Sequence, residues 1–387
     1  MSYSNDVIER AKLNKQLTVA PFAQSFRWCN NDCDFCYLRD YMLNRPLSLD
    51  TIKDIDSNVI KWLKDNINKI PTDISFELTF IGGEMFCLDK SYYDEYRYLI
   101  DNVAKIVENH KIKYTFFSNL LYDNLDNLIQ LAKDYNGIIT TSFDTIGRYK
   151  NENILSKWYN NIKQIRDNGI ELTIGMILSK ESMYNIMYND NIYVQTYYKL
   201  LDEGWNLDYD IFIPNAESNY NNIPTQEELI EFHKYIIDRY WGHLPNNPIF
   251  NYEEVNDIVE YPIYVDCAKI MFLPSNETNP KINAVRGEYN IAELYCNDMC
   301  RFNTLQNVKQ NIVKDEDKKE FICMSNKKQV EYYYDNILKC SICKMRGYCN
   351  KENLRDCYVT KRYSIWDDKC WIKQVLQYIK KKYEQNI

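Results

Sequence analysis

Histidine is nearly absent from this chain. There are three in 387 residues, His110, His233 and His243, and none lies close in sequence to another metal-ligand candidate. An imidazole-built metal centre is therefore excluded, and any metal the chain binds must be bound by sulfur. No run of about 18 apolar residues occurs and the N-terminus has no apolar targeting segment, which excludes a membrane-spanning helix and points to a cytoplasmic protein. A basic excess is also missing, since 47 Lys and Arg face 55 Asp and Glu for a net charge of −8. Phosphate binding depends on basic patches, so nucleic acid is not an expected partner. The one dense basic run, Lys380 to Lys382, reads as the solvated face of a last helix. Glycine is scarce, with ten residues, so a glycine pair carries information.

Cysteine, in contrast, is plentiful. Thirteen cysteines without a secretion signal favour metal ligation over disulfides. A composition of 45% hydrophobic and 26% charged residues is that of a globular protein, and the length suggests two domains. Cys29, Cys33 and Cys36 stand at C-x3-C-x2-C spacing just after a short apolar stretch. Three thiolates that close can hold three irons of a 4Fe–4S cube and leave the fourth iron open, as a catalytic centre requires. Taken alone they also suit zinc.

Residues 16 to 24 read as a first strand that delivers the cysteine loop. A helix with Ile52, Ile55, Val59, Trp62 and Leu63 at helical spacing follows, ending near Pro71. The next strand alternates: Ile74, Phe76, Leu78 and Phe80 point one way, Ser75, Glu77 and Thr79 the other. It runs into Gly82-Gly83-Glu84, and a helix with Tyr92, Tyr96, Leu99, Val103 and Ile106 on one face comes next. The pattern then recurs four times, as strand 112–118 with helix 123–134, strand 138–144 with helix 151–167, strand 171–178 with helix 182–203, and strand 208–214 with helix 225–240. That last helix opens on a Thr225-x-x-Glu228 capping box.

Six strands alternating with helices imply a parallel sheet with right-handed crossovers. Six units fall short of a closed eight-fold barrel, so the expected fold is α/β, a partial (β/α)6 TIM-type barrel. In such a barrel the outward residues meet helices, so Glu77, Thr79, Ser142 and Asp144 should face the lumen. The site is expected at the C-terminal strand ends. Those ends carry Gly82-Gly83-Glu84, Ser118-Asn119, and Ser142-Phe143-Asp144 followed by Gly147-Arg148. Glu77 and Asp144 are the candidates for handling a substrate proton.

Composition changes after Pro245 and Pro248, where the βα alternation stops and nine further cysteines appear: Cys267, Cys296, Cys300, Cys323, Cys340, Cys343, Cys349, Cys357 and Cys370. The expected domains are residues 1–245 and a cysteine-rich, cluster-binding extension over 246–387. Two four-cysteine sites would consume eight of the nine. By spacing alone, zinc suits this field as well as iron–sulfur clusters do. Cys87 and Cys323 read as free buried thiols.

The first triad, with Phe35 and Tyr37 flanking Cys36, resembles the signature of the radical SAM enzymes, and Gly82-Gly83-Glu84 stands where that family carries its GGE motif. The resemblance implies a core 4Fe–4S cluster on Cys29, Cys33 and Cys36 with S-adenosylmethionine bound at its open iron. It implies reductive cleavage to a 5′-deoxyadenosyl radical and hydrogen abstraction from substrate. The cofactor contacts it implies are Phe35, Tyr37, Gly82, Gly83, Glu84, Asn119, Ser142 and Arg148. Met85 departs from the proline usual after that motif.

The cysteine field resembles the SPASM extension, which implies two auxiliary clusters. Cys340, Cys343, Cys349 and Cys370 would hold one, and Cys267, Cys357 and Cys296 or Cys300, or both, the other. Asn350 to Asp356 intervene where the family's next cysteine is usual, and eight residues separate Gly287 from Cys296. The family's commonest task implies a peptide or protein substrate, crosslinked or oxidised, and an external flavodoxin- or ferredoxin-like electron donor. With the first strand near residue 16, leader-peptide binding would fall to a separate protein, or the substrate would need no leader. A small molecule such as a sugar or nucleotide is the alternative substrate, and a non-catalytic metal-binding scaffold the alternative of another class.

Overall fold

A computed structural model of the chain describes residues 8, 11–12, 15–23, 25–36, 42–212, 220–240, 268–270, 284–285, 289–290 and 370–385. They fall into two compact units. The first takes in Met1–Ser142, Gly147–Thr173 and Val265–Asp298, the second Phe143–Ile146, Ile174–Tyr264 and Met299–Ile387. The expected domain boundary at 245/246 lies outside the described residues.

In the first unit, strands β1 (Gln16–Val19), β2 (Ser75–Phe80), β3 (Ile112–Phe117) and β4 (Ile138–Ser142) alternate with helices α1 (Leu49–Asn66), α2 (Lys90–Ile106), α3 (Asp126–Tyr135) and α4 (Glu152–Asp167). The strands pair in parallel, with Thr18 opposite Glu77 and Thr79 opposite Thr115. A short β7 (Ala268–Ile270) adds to the free edge of β1, also parallel. Helices α1, α2 and α4 start where a polar side chain takes up a free N–H group, that of Ser48, Asp89 and Asn151 respectively.

In the second unit β5 (Leu172–Leu178) and β6 (Leu207–Ile211) pair in parallel. The long helix expected over 182–203 is two helices, α5 (Lys180–Tyr188) and α6 (Ile192–Asp202). Asn191 breaks it, because its side chain accepts the amides of Tyr193 and Val194 and starts a new helix. The capping box read at Thr225 and Glu228 is present at the head of α7 (Gln226–Arg239). Helix α8 (Trp371–Gln385) packs on α7, where the Trp371 ring lies 4.7 Å from the His233 ring and the Trp371 amide donates to Gln226 Oε1 at 3.0 Å. Burial holds the His233 imidazole down at about 4, so it is neutral there.

The strand order is β6-β5-β4-β3-β2-β1-β7. Six parallel strands in sequential order are the partial (β/α)6 barrel expected from the alternation.

The outward face of β2 is the aromatic core of the first unit. Phe80 lies 5.7 Å from Phe22, 5.4 Å from Tyr96 and 5.5 Å from Phe116, all four fully buried. Each such pair is worth about 1 kcal/mol beyond the area it buries. The cluster fixes the end of β2, from which the next residues leave for the site. The opposite face is polar: Glu77 accepts from Gln16 Nε2 at 2.6 Å, Thr18 Oγ1 at 3.4 Å and Thr115 Oγ1 at 2.8 Å. No described helix is long and apolar enough to cross a membrane.

Candidate cofactor site at the strand ends

The cysteine loop is laid across the C-terminal ends of neighbouring strands and tied to each. At β2 the amides of Gly83 and Glu84 donate to the carbonyls of Phe26 (2.6 Å) and Trp28 (2.8 Å). A Cβ on Gly82 would stand 2.6 Å from the Phe26 oxygen, and one on Gly83 only 1.9 Å from that of Trp28. The scarce glycine pair is thus required by the close approach of the cysteine loop's backbone. At β3, Asn119 Nδ2 donates to Asn30 Oδ1 at 2.6 Å. Ahead of α4, the Asp34 amide donates to the carbonyl of Gly147 at 3.0 Å. Gly147 has φ +77°, and a Cβ there would press on the Phe35 ring at 3.2 Å.

Glu84 locks two of these strand ends together. Its carboxylate is fully buried and accepts the amides of Phe86 (2.9 Å) and Asn119 (2.5 Å), with Ser118 Oγ 3.2 Å from both oxygens. Burial raises its pKa to about 7, against the lowering effect of those donors. The backbone beside it is held by α2, whose Tyr93 and Tyr96 hydroxyls donate to the carbonyls of Phe86 (2.5 Å) and Met85 (3.2 Å). The loop after β3 turns through Leu120 at φ +55°, a conformation unfavourable for leucine. Asn161 of α4 steadies it by donating to the carbonyls of Leu120 (2.8 Å) and Tyr122 (3.0 Å).

The three thiols share this platform. Burial pushes the Cys29 thiol up to about 12, with Glu84, Cys33 and Cys36 acting in the same direction and an amide hydrogen bond from Asn31 acting against it. A thiol held protonated in this way is released by a bound metal, which supplies the missing positive charge. N–H groups already address the sulfurs. Asn31 donates its amide to Cys29 Sγ (3.4 Å) and its side chain to Cys33 Sγ (3.2 Å), and Asn119 Nδ2 lies 3.5 Å from Cys29 Sγ. Among the described residues no three His, Cys, Asp or Glu side chains converge as a ready site for a single ion. The donor set fits an iron–sulfur cluster, whose thiolates are commonly hydrogen-bonded by surrounding amides.

The other candidates are distributed as follows. Arg148 places its guanidinium 5.3 Å from the centre of the Phe35 ring, with NH1 3.7 Å from Cys33 Sγ. Ser142 is half-buried at the end of β4, and its carbonyl accepts from Tyr149 at 3.3 Å. Asp144 groups with the second unit, where its Oδ1 accepts the Ile177 amide at 3.0 Å. Cys87 is half-buried with its thiol 3.8 Å from the Glu84 carbonyl, and burial raises it to about 12. Cys370 is buried immediately before α8, its sulfur 3.5 Å from the Lys373 amide. Tyr37, Cys267, Cys296, Cys300, Cys323, Cys340, Cys343, Cys349 and Cys357 lie outside the described residues. Asn30, Asn31 and Asn161 went unread in the sequence. The two asparagines between Cys29 and Cys33 were a visible signal, but Asn161, on a helix 130 residues downstream of that loop, gave none.

No family model and no curated protein matches the chain. Solved structures do. A polyhistidine-tagged anSMEcpe with bound AdoMet has a TM-score of 0.56 at 14% identity, covering 96% of this chain and 95% of that one. Native anSMEcpe with bound AdoMet and a peptide gives 0.55 at 14%, covering 96% and 99%. At such identities the likeness is one of fold, and in fold the chain resembles the radical SAM enzymes, as its motifs do.

Proposed function

We propose that this chain is a radical SAM enzyme with SPASM-type auxiliary clusters, acting on a side chain of a peptide or protein. The observation that carries the reading is the cysteine loop. Three thiols at C-x3-C-x2-C spacing are tied to the ends of β2 and β3 and to the Gly147 turn, with amide hydrogens on two sulfurs. Cys29, Cys33 and Cys36 would hold the core cluster. S-adenosylmethionine would lie beside Phe35, Tyr37, the Gly82–Glu84 turn, Asn119, Ser142 and Arg148. When bound, the pair supplies a 5′-deoxyadenosyl radical that takes a hydrogen atom from substrate.

The protein's own share is position and shelter. Glu84 holds the ends of β2 and β3 at fixed separation, and the Phe80 cluster keeps β2 rigid behind them. Of the two carboxylates considered for a substrate proton, Glu77 is the stronger. Its three partners are side chains that can turn aside, whereas an oxygen of Asp144 is engaged by a backbone amide. Auxiliary clusters are assigned to Cys340, Cys343, Cys349 and Cys370, and to Cys267, Cys357 and Cys296 or Cys300 or both. The peptide in the anSMEcpe complex favours a peptide substrate over a small molecule. The electron donor would be a flavodoxin- or ferredoxin-like protein, and a separate protein would present any leader peptide.

The test is anaerobic reconstitution, followed by iron, sulfide and zinc analysis and an assay for 5′-deoxyadenosine under dithionite. About twelve irons per chain together with 5′-deoxyadenosine is the expected result. About four irons would remove the auxiliary clusters. Zinc without 5′-deoxyadenosine would leave a metal-binding scaffold and end the proposal.

A further inference from the structure

We propose that Asn31 sets the reduction potential of the cluster held by the first cysteine triad, with Arg148 and Asn119 in supporting parts. The inference rests on the cluster reading above. Among the described residues, Asn31 addresses two of the three ligands. Its backbone N–H lies 3.4 Å from Cys29 Sγ, and its side-chain Nδ2 lies 3.2 Å from Cys33 Sγ. That same nitrogen also donates to the carbonyl of Arg148 at 3.1 Å, so both amide hydrogens are placed and the side chain cannot swing away without losing both bonds.

Two further groups act in the same sense. The guanidinium of Arg148 reaches Cys33 Sγ at 3.7 Å from its seat over the Phe35 ring. Asn119 accepts the Leu121 amide on Oδ1 at 2.8 Å, which assigns its nitrogen to the side facing Cys29 Sγ, 3.5 Å away. An N–H or a cation directed at a ligating sulfur draws negative charge from it. That favours the reduced cluster, which carries one more electron, and so raises the potential. A cluster that must pass an electron to a sulfonium needs a low potential, yet its protein donor must still be able to reduce it. Asn31, a positioning residue in this scheme, keeps the cluster within that donor's reach.

The experiment is a redox titration of the reconstituted full chain followed by electron paramagnetic resonance, with and without S-adenosylmethionine. The core cluster is the signal whose shape changes when S-adenosylmethionine is added. Wild type is compared with Asn31→Ala, Asn31→Ser, Arg148→Met and the Asn31→Ala/Arg148→Met pair, each with its iron and sulfide content. The midpoint should move to lower potential in Asn31→Ala and further in the pair, with iron content held. Asn31→Ser, which retains a short donor, should fall between wild type and Asn31→Ala. An unchanged midpoint in an iron-replete Asn31→Ala overturns the inference and leaves the proposed function standing. Were Asn31→Ala not to load iron, an unchanged midpoint in Arg148→Met would overturn it instead. A wild-type protein with no S-adenosylmethionine-responsive signal overturns the cluster reading itself.

Discussion

Glu77 and Glu84 stand seven residues apart, one within β2 and one just past its end, and they are held in opposite ways. Glu84 is fully buried and receives two backbone amides and a serine hydroxyl. Glu77 is half-buried and, among the described residues, receives side chains only, from Gln16, Thr18 and Thr115. A backbone amide cannot leave without moving its strand, so Glu84 is part of the frame. Side-chain donors can rotate, so Glu77 can exchange its partners for a ligand without disturbing the sheet. Similar chemistry thus gives a fixed tie at one level and an exchangeable one at the next.

The largest expected effect comes from removing the tie. Glu84→Ala leaves two buried amides and a hydroxyl without their acceptor, at a cost of roughly 4 kcal/mol. Chemical denaturation measures this, and a loss below ~1 kcal/mol would show that Glu84 is not the tie described.

The second effect is a pH dependence. The Glu84 pKa lies at about 7 in the fold, above its usual 4.5. This carboxyl therefore binds more proton in the folded state between these values, and its own contribution to stability falls as pH rises through that window. The stabilisation is complete below pH 4.5 and spent above 7, by about 3 kcal/mol in all. Glu84→Gln should remove that contribution. What remains combines two opposing contributions: burial and the neighbouring Glu95 push the carboxyl of Asp56 up, while burial holds His233 down at about 4, which makes stability rise with pH toward 6.5. Equal slopes in wild type and Glu84→Gln would refute the assignment.

Glu77→Ala should cost less, about 1 kcal/mol, since each of its donors sits on a side chain that can rotate to another acceptor. A loss as large as that of Glu84→Ala would erase the contrast. Smallest of all is Lys15→Ala, which removes an ion pair to Asp73 between side chains 66% and 60% exposed. A change within ~0.5 kcal/mol is expected in the same denaturation series.

The alternation of β2 was readable because a helix-facing strand surface must be apolar, and Phe76, Leu78 and Phe80 occupy it. The Thr225 capping box was readable because both of its halves lie within one turn. The break between α5 and α6 was not, since Asn191 is as much at home in a turn as on a helix surface. The glycine pair was noticed, but its reason was hidden. What fills the space beside Gly83 is the Trp28 backbone, more than fifty residues earlier in the chain. Glu84 was marked as a cofactor contact, and its hold on the Asn119 amide had no trace in the sequence, because a backbone donor has no identity there.

The ties of the cysteine loop also bear on the order of events in synthesis. The loop's partners lie far downstream, with the hydrogen bond from Asn31 to Arg148 spanning 117 positions and that from Asn30 to Leu121 spanning 91. A nascent chain therefore shows the ribosome's surroundings three bare thiols well before their platform has been made. Contacts of such separation close late in folding. On the proposed function, iron delivered during translation would meet an unshaped loop, and loading would follow the emergence and docking of α4.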